Sequence, residues 1–468
     1  MTTFAREVVA DLRNRLQGDL VLPGDAEYDA ARAIWNAMID KCPALIVRCT
    51  SPSDVQEALR VGRAQGATIA VRGGGHNIAG NAVCDGGLVI DLSRMRSVVV
   101  DRDARRAFVD GGATLADVDR ETQAFGLATP LGVNSTTGVA GLTLGGGFGW
   151  ISRRYGLTVD NLVSADVVTP DGAIVRASAR NHPDLFWALR GGGGNFGIVT
   201  RFCYALHSVG PEVLAGMIFF PASEAQAVLE KYRQFTAQAP DELAVWAILR
   251  KAPPIPFLPD AVHGTDILAL AVCHCGDIEA GSRLVAPLRT FGTSLGDNIG
   301  AMPFVEWQKA LDPLLTPGAR NYWKSHNFSE LQPEMFDTLV DLAGRVPTPE
   351  CEVFIGQVGG ASSRVAPDAT AYPHRDARFV MNVHARWQTP ADDAACIGWA
   401  RSFVEATAPY ATGGVYVNFM TADETDRVGS AYGAHYDKLA RIKNIYDPEN
   451  VLHMNQNIAP AKKKKKAA

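Results

Sequence analysis

Residues 71–80 read VRGGGHNIAG: an arginine, three glycines, then a single histidine, His76. Glycine removes the side chain where backbone must bend or approach something closely. A histidine set directly behind such a turn is presented to whatever the turn approaches. The flanking sequence decides what kind of chain carries it. Residues 44–49 (ALIVRC), 67–73 (ATIAVRG), 88–93 (LVIDLS) and 106–112 (RAFVDGG) are short β-rich runs. Residues 51–66 read as a capped helix, opened by Ser or Asp and closed by Gly66. The first part of the chain is therefore α/β, with glycine turns at strand ends. Such turns bring backbone amides close to an extended, partly charged ligand.

Three more glycine clusters fall before residue 200, at 111–112, 132–149 and 191–197. Residues 192–197, GGGNFG, satisfy G-x-G-x-x-G. The dinucleotide fingerprint needs a strand before that motif and a helix after it. Here the order is reversed, with HPDLFWALR helical before it and IVTRFCYAL strand-like after it. No acidic residue fits about 20 positions on. The ordinary Rossmann reading is set aside, and no P-loop motif occurs. The longest cluster lies in residues 130–162, PLGVNSTTGVAGLTLGGGFGWISRRYGLTVDNL, with eight glycines. Bare turns do not need that many, whereas a backbone surface laid along a flat ring and a pyrophosphate does.

From about residue 209 the texture changes. ELAVWAILR, DILALAVCHCG, CEVFIGQVGG and RFVMNVHARW read as strands alternating with helical segments such as SEAQAVLEKYRQF and DDAACIGWARSFVEATAPY. This predicts an antiparallel sheet with helices on one face. The proline-rich stretch at 251–264 reads as a loop. The 468 residues, 47% hydrophobic, suffice for a large core in two or three domains. A net charge of −5 with 20% charged residues gives no polyanion-binding surface, so no nucleic-acid partner is expected. No signal or membrane-spanning stretch is read. The eight cysteines are scattered, and Cys273-His274-Cys275 reads as buried strand, so no metal site and a cytoplasmic setting are expected. The lysine run at 462–466 reads as a solvated tail.

VRGGGHNIAG, GGLVIDLSRM, GVAGLTLGGGFGWISRRYGLTVDNL, DLFWALRGGGGNFGIVT, YPHRDARF and YDPENVLHMNQNI occur in that order. Together they resemble the FAD-linked oxidases related to berberine bridge enzyme, within the vanillyl-alcohol-oxidase fold, and most of all the bacterial members. The resemblance runs from about residue 24 to 460. It implies an α+β fold in parts: an FAD-binding domain at 1–205 completed by 414–460, and a substrate domain at 206–413 with an antiparallel sheet covered by helices; the lysine-rich residues 461–468 read from their composition as a disordered tail.

It also implies roles. In that family the histidine of R-x-G-G-H is bonded covalently to the flavin 8-methyl carbon, which places the tether at His76. Many relatives add a second tether through a cysteine in G-x-C-x-x-x-G. Here Gly132 to Gly138 carry Asn134 at that position, so one covalent link is expected. Flavin contacts are expected from Arg72, Gly73, Gly74, Gly75, Asn77, Gly80, Thr137, Gly138, Val139, Gly141, Gly145, Gly146, Gly149, Gly197, Val199, Tyr416, Asn418, Asn455 and Gln456, with Val139 marking oxygen access. The family's Y-x-N-Y ends here in Phe419, which cannot titrate. If 416–419 is a strand, Tyr416 and Asn418 share a face. The candidate catalytic residues become Tyr416, Gln357 (with Glu352 earlier on its strand), Tyr322 and Lys324. The reaction implied is hydride transfer from an alcohol, amine or phenol to FAD and then to molecular oxygen, giving hydrogen peroxide. The alternatives are an oxidative cyclase or monooxygenase-like tailoring enzyme on the same fold, and a flavoprotein binder. Substrate identity and oligomeric state stay open.

Overall fold

The computed structural model describes residues 4–461. The lysine run lies outside the described residues. Three large sheets organise the rest, beside a two-stranded pairing of Leu127–Ala128 with His207–Ser208.

The first has four strands in the order Asp19–Val21, Leu45–Arg48, Leu88–Asp91, Ile69–Arg72. Leu88–Asp91 runs parallel to both Leu45–Arg48 and Ile69–Arg72. The crossover between the latter two is the helix Pro52–Ala64, capped by the Ser51 side chain accepting from the Asp54 N–H. Gly80 and the VRGGGH turn follow directly on Ile69–Arg72, so His76 emerges at the end of a buried strand.

The second sheet is antiparallel, ordered Val98–Asp101, Arg106–Asp110, Ile198–Ala205, Leu162–Val168, Ile174–Ser178. The helix Pro183–Leu189 does precede the strand Ile198–Ala205, the reverse of a dinucleotide fingerprint.

The third sheet runs Gly296–Asp297, Glu212–Pro221, Asp266–His274, Leu243–Lys251, Glu352–Gln357, Phe379–Trp387, Arg320–Phe328, with Gly300–Pro303 also pairing on Glu212–Pro221. Helices Ala225–Gln238, Glu334–Ala343 and Asp393–Thr407 cover one face, burying Leu229, Leu339 and Phe403 in the same core as Val245, Val353 and Val383. The opposite face carries a second apolar layer, with Phe148, Trp150 and Trp246, and meets the glycine-rich segments. Both faces are therefore buried, and the strands read as near-continuous hydrophobic runs instead of alternating ones. The Cys273–Cys275 stretch ends one of these strands, its sulfurs in the core.

The segment around Tyr416 is not a strand. Val417–Phe419 is a 3-10 turn, which places Tyr416, Asn418 and Phe419 all against the same cavity instead of on alternating faces.

Candidate active site

A cavity lies between the glycine segments and the face of the third sheet opposite its helices. One end is walled by backbone. Gly73–Gly75, Gly138, Gly141, Gly145, Gly193, Gly194 and Gly197 line it, with Val199, Thr137, Asn455 and Gln456. Two glycines explain how the walls come so close. A Cβ on Gly74 would sit 2.3 Å from the Gly138 nitrogen, and one on Gly138 would sit 2.2 Å from that of Gly74. The two loops thus pass backbone to backbone, which no larger residue permits.

His76 lines the same cavity. Its ring stacks on Trp35, centroids 5.1 Å apart at 22°. Trp35 is itself fixed, its N–H donating to the Gly75 carbonyl and its indole N–H to the Leu315 carbonyl. Burial pushes the His76 imidazole down to about 4, so the ring is neutral near pH 7.

The far end is aromatic, lined by Phe148, Trp246, Trp323, Phe354, Tyr416 and Phe419. Phe419 meets Tyr416, Trp323 and Phe354 edge-on, at 4.8, 5.5 and 5.9 Å. The Tyr416 hydroxyl accepts from the Gly147 N–H at 3.0 Å and from Asn418 Nδ2 at 2.9 Å. Burial nevertheless pushes that phenol up to about 12, so it keeps its proton. One polar corner breaks the aromatic lining. Arg250, Glu352, His384 and Trp323 are successive cross-strand partners. Glu352 is paired with Arg250 at 2.5 Å and lies 3.5 Å from His384 Nδ1, while His384 Nε2 lies 3.0 Å from Asn321 Oδ1. Burial works to raise the Glu352 carboxyl, but Arg250 and His384 outweigh it and hold it below its ordinary range.

The same register moves three expected catalytic residues out of the cavity. Tyr322 and Lys324 flank Trp323 and point to the helix-covered face. There the Tyr322 hydroxyl donates to Asp423 at 2.6 Å, and Lys324 donates to Thr421 and Asp423, both at 3.2 Å. Gln357 is on the far face from Glu352 and Phe354. Its side chain is consumed by the Val245 N–H and the Thr236 carbonyl. None of the three lines the cavity.

Five expected flavin contacts also lie behind the wall. Arg72 braces the turn by donating to the Ala31 carbonyl. Gly80 packs on Ile39, Gly146 on Tyr372 and Gly149 on the Leu131 carbonyl. Val139 is in the core under the helix Val139–Leu144, and its neighbours Ala140 and Gly141 are the ones that line the cavity. Sequence reasoning missed Trp35, Trp246, Trp323, Phe354, Asn382 and His384. Trp246, Phe354, Asn382 and His384 lie on segments that read as strands, without a sign of which face points inward, whereas Trp323 lies on a strand, Arg320–Phe328, that the sequence does not announce.

The backbone end suits a large flat group bearing a pyrophosphate. Beside Gly141 and Gly194 an added Cβ would meet nothing within 4 Å, so the cradle is open where a ring or phosphate must lie. Asn455 Oδ1, on a cavity-lining residue, is buried without a hydrogen-bond partner among the described residues. That suits an imide N–H such as a flavin's. No group of three metal-ligating side chains occurs among the described residues. No helix there is long and apolar enough to cross a membrane.

Fold and cavity define a flavin-dependent oxidoreductase with a separate substrate sheet. Comparison with known proteins agrees. Residues 43–178 match a family model for an FAD binding domain, and residues 415–459 match one described as berberine and berberine like. An FAD-linked oxidoreductase of Bacillus subtilis (strain 168) is 31% identical over 96% of this chain and 99% of its own length. The (R)-6-hydroxynicotine oxidase of Paenarthrobacter nicotinovorans is 30% identical over 95% of this chain and 97% of its own. The crystal structure of 6-hydroxy-D-nicotine oxidase from Arthrobacter nicotinovorans superposes with a TM-score of 0.85 at 28% identity, over 95% of this chain and 98% of that one. The chain belongs to the berberine-bridge-enzyme-like family of FAD-linked oxidoreductases.

Proposed function

We propose that this protein is an oxidase that carries FAD on a single covalent bond to His76, oxidises a flat, mostly apolar small molecule, and returns the electrons to molecular oxygen as hydrogen peroxide. The observation that carries the reading is the continuity of the cavity: glycine cradle, His76 and aromatic box lie in one space. FAD supplies the hydride acceptor and the oxygen chemistry. His76, Asn455, Gln456 and the backbones of Gly73–Gly75, Gly138, Ala140, Gly141 and Gly193–Gly194 would hold it. Asn134 offers no thiol, which leaves His76 as the tether.

The chain's own residues then act on the substrate. The aromatic box excludes water and stacks a ring. Three polar atoms on box residues have no partner among the described residues: Asn382 Oδ1 and the indole nitrogens of Trp246 and Trp323. So few polar atoms suit a substrate with one or two hydrogen-bonding groups better than a sugar, whose every hydroxyl would need an answer. The ionised Glu352 accepts from the hydroxyl or amine being oxidised, and the Tyr416 phenol, its proton retained, donates to it.

The test has two parts. Acid-precipitated protein should stay yellow, and His76→Ala should release its flavin to the supernatant. A screen of aromatic alcohols, amines and phenols should then find compounds that bleach the flavin without air and yield one peroxide per turnover in air. Product formed with less peroxide than turnover would favour the oxidative cyclase or monooxygenase-like reading, and bleaching by none of them the binder.

A further inference from the structure

His76 does not meet its environment through one nitrogen at random. Its Nε2 lies 2.9 Å from Thr136 Oγ1. The hydroxyl of Thr136 lies 2.7 Å from Asn134 Oδ1, which also accepts from the Thr136 backbone N–H at 3.1 Å. A backbone N–H can only donate, so the Asn134 atom facing Thr136 is an oxygen. Thr136 has one hydroxyl hydrogen, and that oxygen takes it. Toward His76 the hydroxyl is left as an acceptor, so the ring proton sits on Nε2. The lone pair is then on Nδ1, since Nε2 is the ring nitrogen engaged with Thr136. Thr136 itself is not part of the cavity wall, whereas His76 is. Trp35 fixes the ring plane by stacking.

We propose that Asn134 and Thr136 are positioning residues for flavin attachment: they select the His76 tautomer whose Nδ1 is the nucleophile. This rests on the covalent reading above and extends it, because Asn134, where a second tether would be, becomes part of the first one's activation. The balance is simple. The bond from His76 Nδ1 to the ring's methyl carbon forms as one methyl C–H bond breaks. Nδ1 gains positive charge, which Thr136 Oγ1 eases by accepting from Nε2–H until that proton leaves. One methyl hydrogen and one imidazole hydrogen are removed overall, with two electrons, and dioxygen as oxidant takes all of them as hydrogen peroxide.

The experiment reads attachment, not turnover. Parent, Thr136→Val, Thr136→Ser and Asn134→Ala proteins are produced under riboflavin limitation and given FAD in air. Total bound flavin and the acid-precipitable fraction are followed with time, the latter also as in-gel fluorescence. Thr136 is solvent-exposed, so water replaces part of its contact once the hydroxyl is gone. The expected result is an attachment rate about tenfold slower in Thr136→Val, the scale of one lost hydrogen bond. Thr136→Ser should restore the parent rate, Asn134→Ala should fall between, and total flavin binding should not change. Attachment at the parent rate in Thr136→Val overturns the proposal. If that variant binds no flavin, Asn134→Ala decides alone, and a parent rate there has the same force. A colourless acid pellet from the parent protein would instead defeat the covalent reading on which this builds.

Discussion

His76 shows how a residue's surroundings set its chemistry. Its folded pKa of about 4 lies below the roughly 6.5 of an unfolded histidine, with burial as the cause. The unfolded chain therefore takes up a proton first on acidification. Between about pH 6.5 and 4 acid favours unfolding of the flavin-free protein, and below 4 the penalty is complete. The full shift is worth ~3 kcal/mol, and water in the open cavity should reduce this to about 2 kcal/mol. Urea midpoints of flavin-free parent and His76→Gln proteins at pH 7 and pH 5 should thus converge or cross as pH falls, the parent losing more. Equal losses would show that His76 is not shielded from solvent. The histidine could be singled out from sequence because glycines on one side and a strand on the other leave it few other reasons to be there. Trp35, which holds it, could not. It lies 41 positions earlier in a stretch with no periodicity, and only the fold brings it within 5.1 Å.

Elements were legible where the residues alone decide them. The helix Pro52–Ala64 has its serine cap, and the short runs around Val89, Val109 and Val353 are strands. Register was not legible, because both faces of the third sheet are buried and alternation vanishes. Trp323 and its neighbours Tyr322 and Lys324 look equally inward-facing until Trp323 is paired with His384. A helix contact makes a prediction of its own. Asp119, on helix Leu115–Gln123, is fully enclosed against Gln308 at the end of helix Phe304–Gln308. Gln308 Nε2 also donates to the Gly132 carbonyl, beside the cavity wall. Asp119 Oδ1 and Gln308 Oε1 are acceptors without partners among the described residues, and a proton on Asp119 turns one of them into a donor. Burial raises this carboxyl to about 7. Folding then takes up a proton between about pH 4 and 7, so stability falls as pH rises through that window. Asp119→Asn cannot ionise. Its stability relative to the parent should improve by about 1–2 kcal/mol from pH 5.5 to pH 8, read from denaturation midpoints. A difference independent of pH would mean that Asp119 is ionised throughout.

Across the whole molecule, the cavity exists only while the glycine-rich half and the third sheet stay in register. One buried ion pair spans them. Arg375, in the YPHR stretch that leads into strand Phe379–Trp387, forks onto Asp160 at 2.7 and 2.8 Å, and also donates to the Ser362 carbonyl and Thr370 hydroxyl. Asp160 belongs to the turn Thr158–Asn161, whose Thr158 and Val159 N–H groups donate to the carbonyls of Gly147 and Gly146. The pair therefore ties the substrate sheet to the backbone strip beside Tyr416. Arg375 is 5% exposed, so removing it strands a carboxylate away from water. Arg375→Ala should cost about 3–5 kcal/mol, the usual cost of breaking a buried pair from one side. Arg375→Lys should recover little of it, because an ammonium cannot make the two-pronged contact. Asp160→Ala in the Arg375→Ala background should return part of the loss, a coupling of 1–3 kcal/mol in the double-mutant cycle on the usual scale. The functional consequence separates this bridge from an ordinary core contact. If it sets the register of the two halves, flavin bound by Arg375→Lys should be released by mild urea before the sheet core unfolds, seen as loss of flavin absorbance ahead of the tryptophan fluorescence transition. Simultaneous transitions would show that the halves unfold as one body and that the bridge adds stability without governing the cavity.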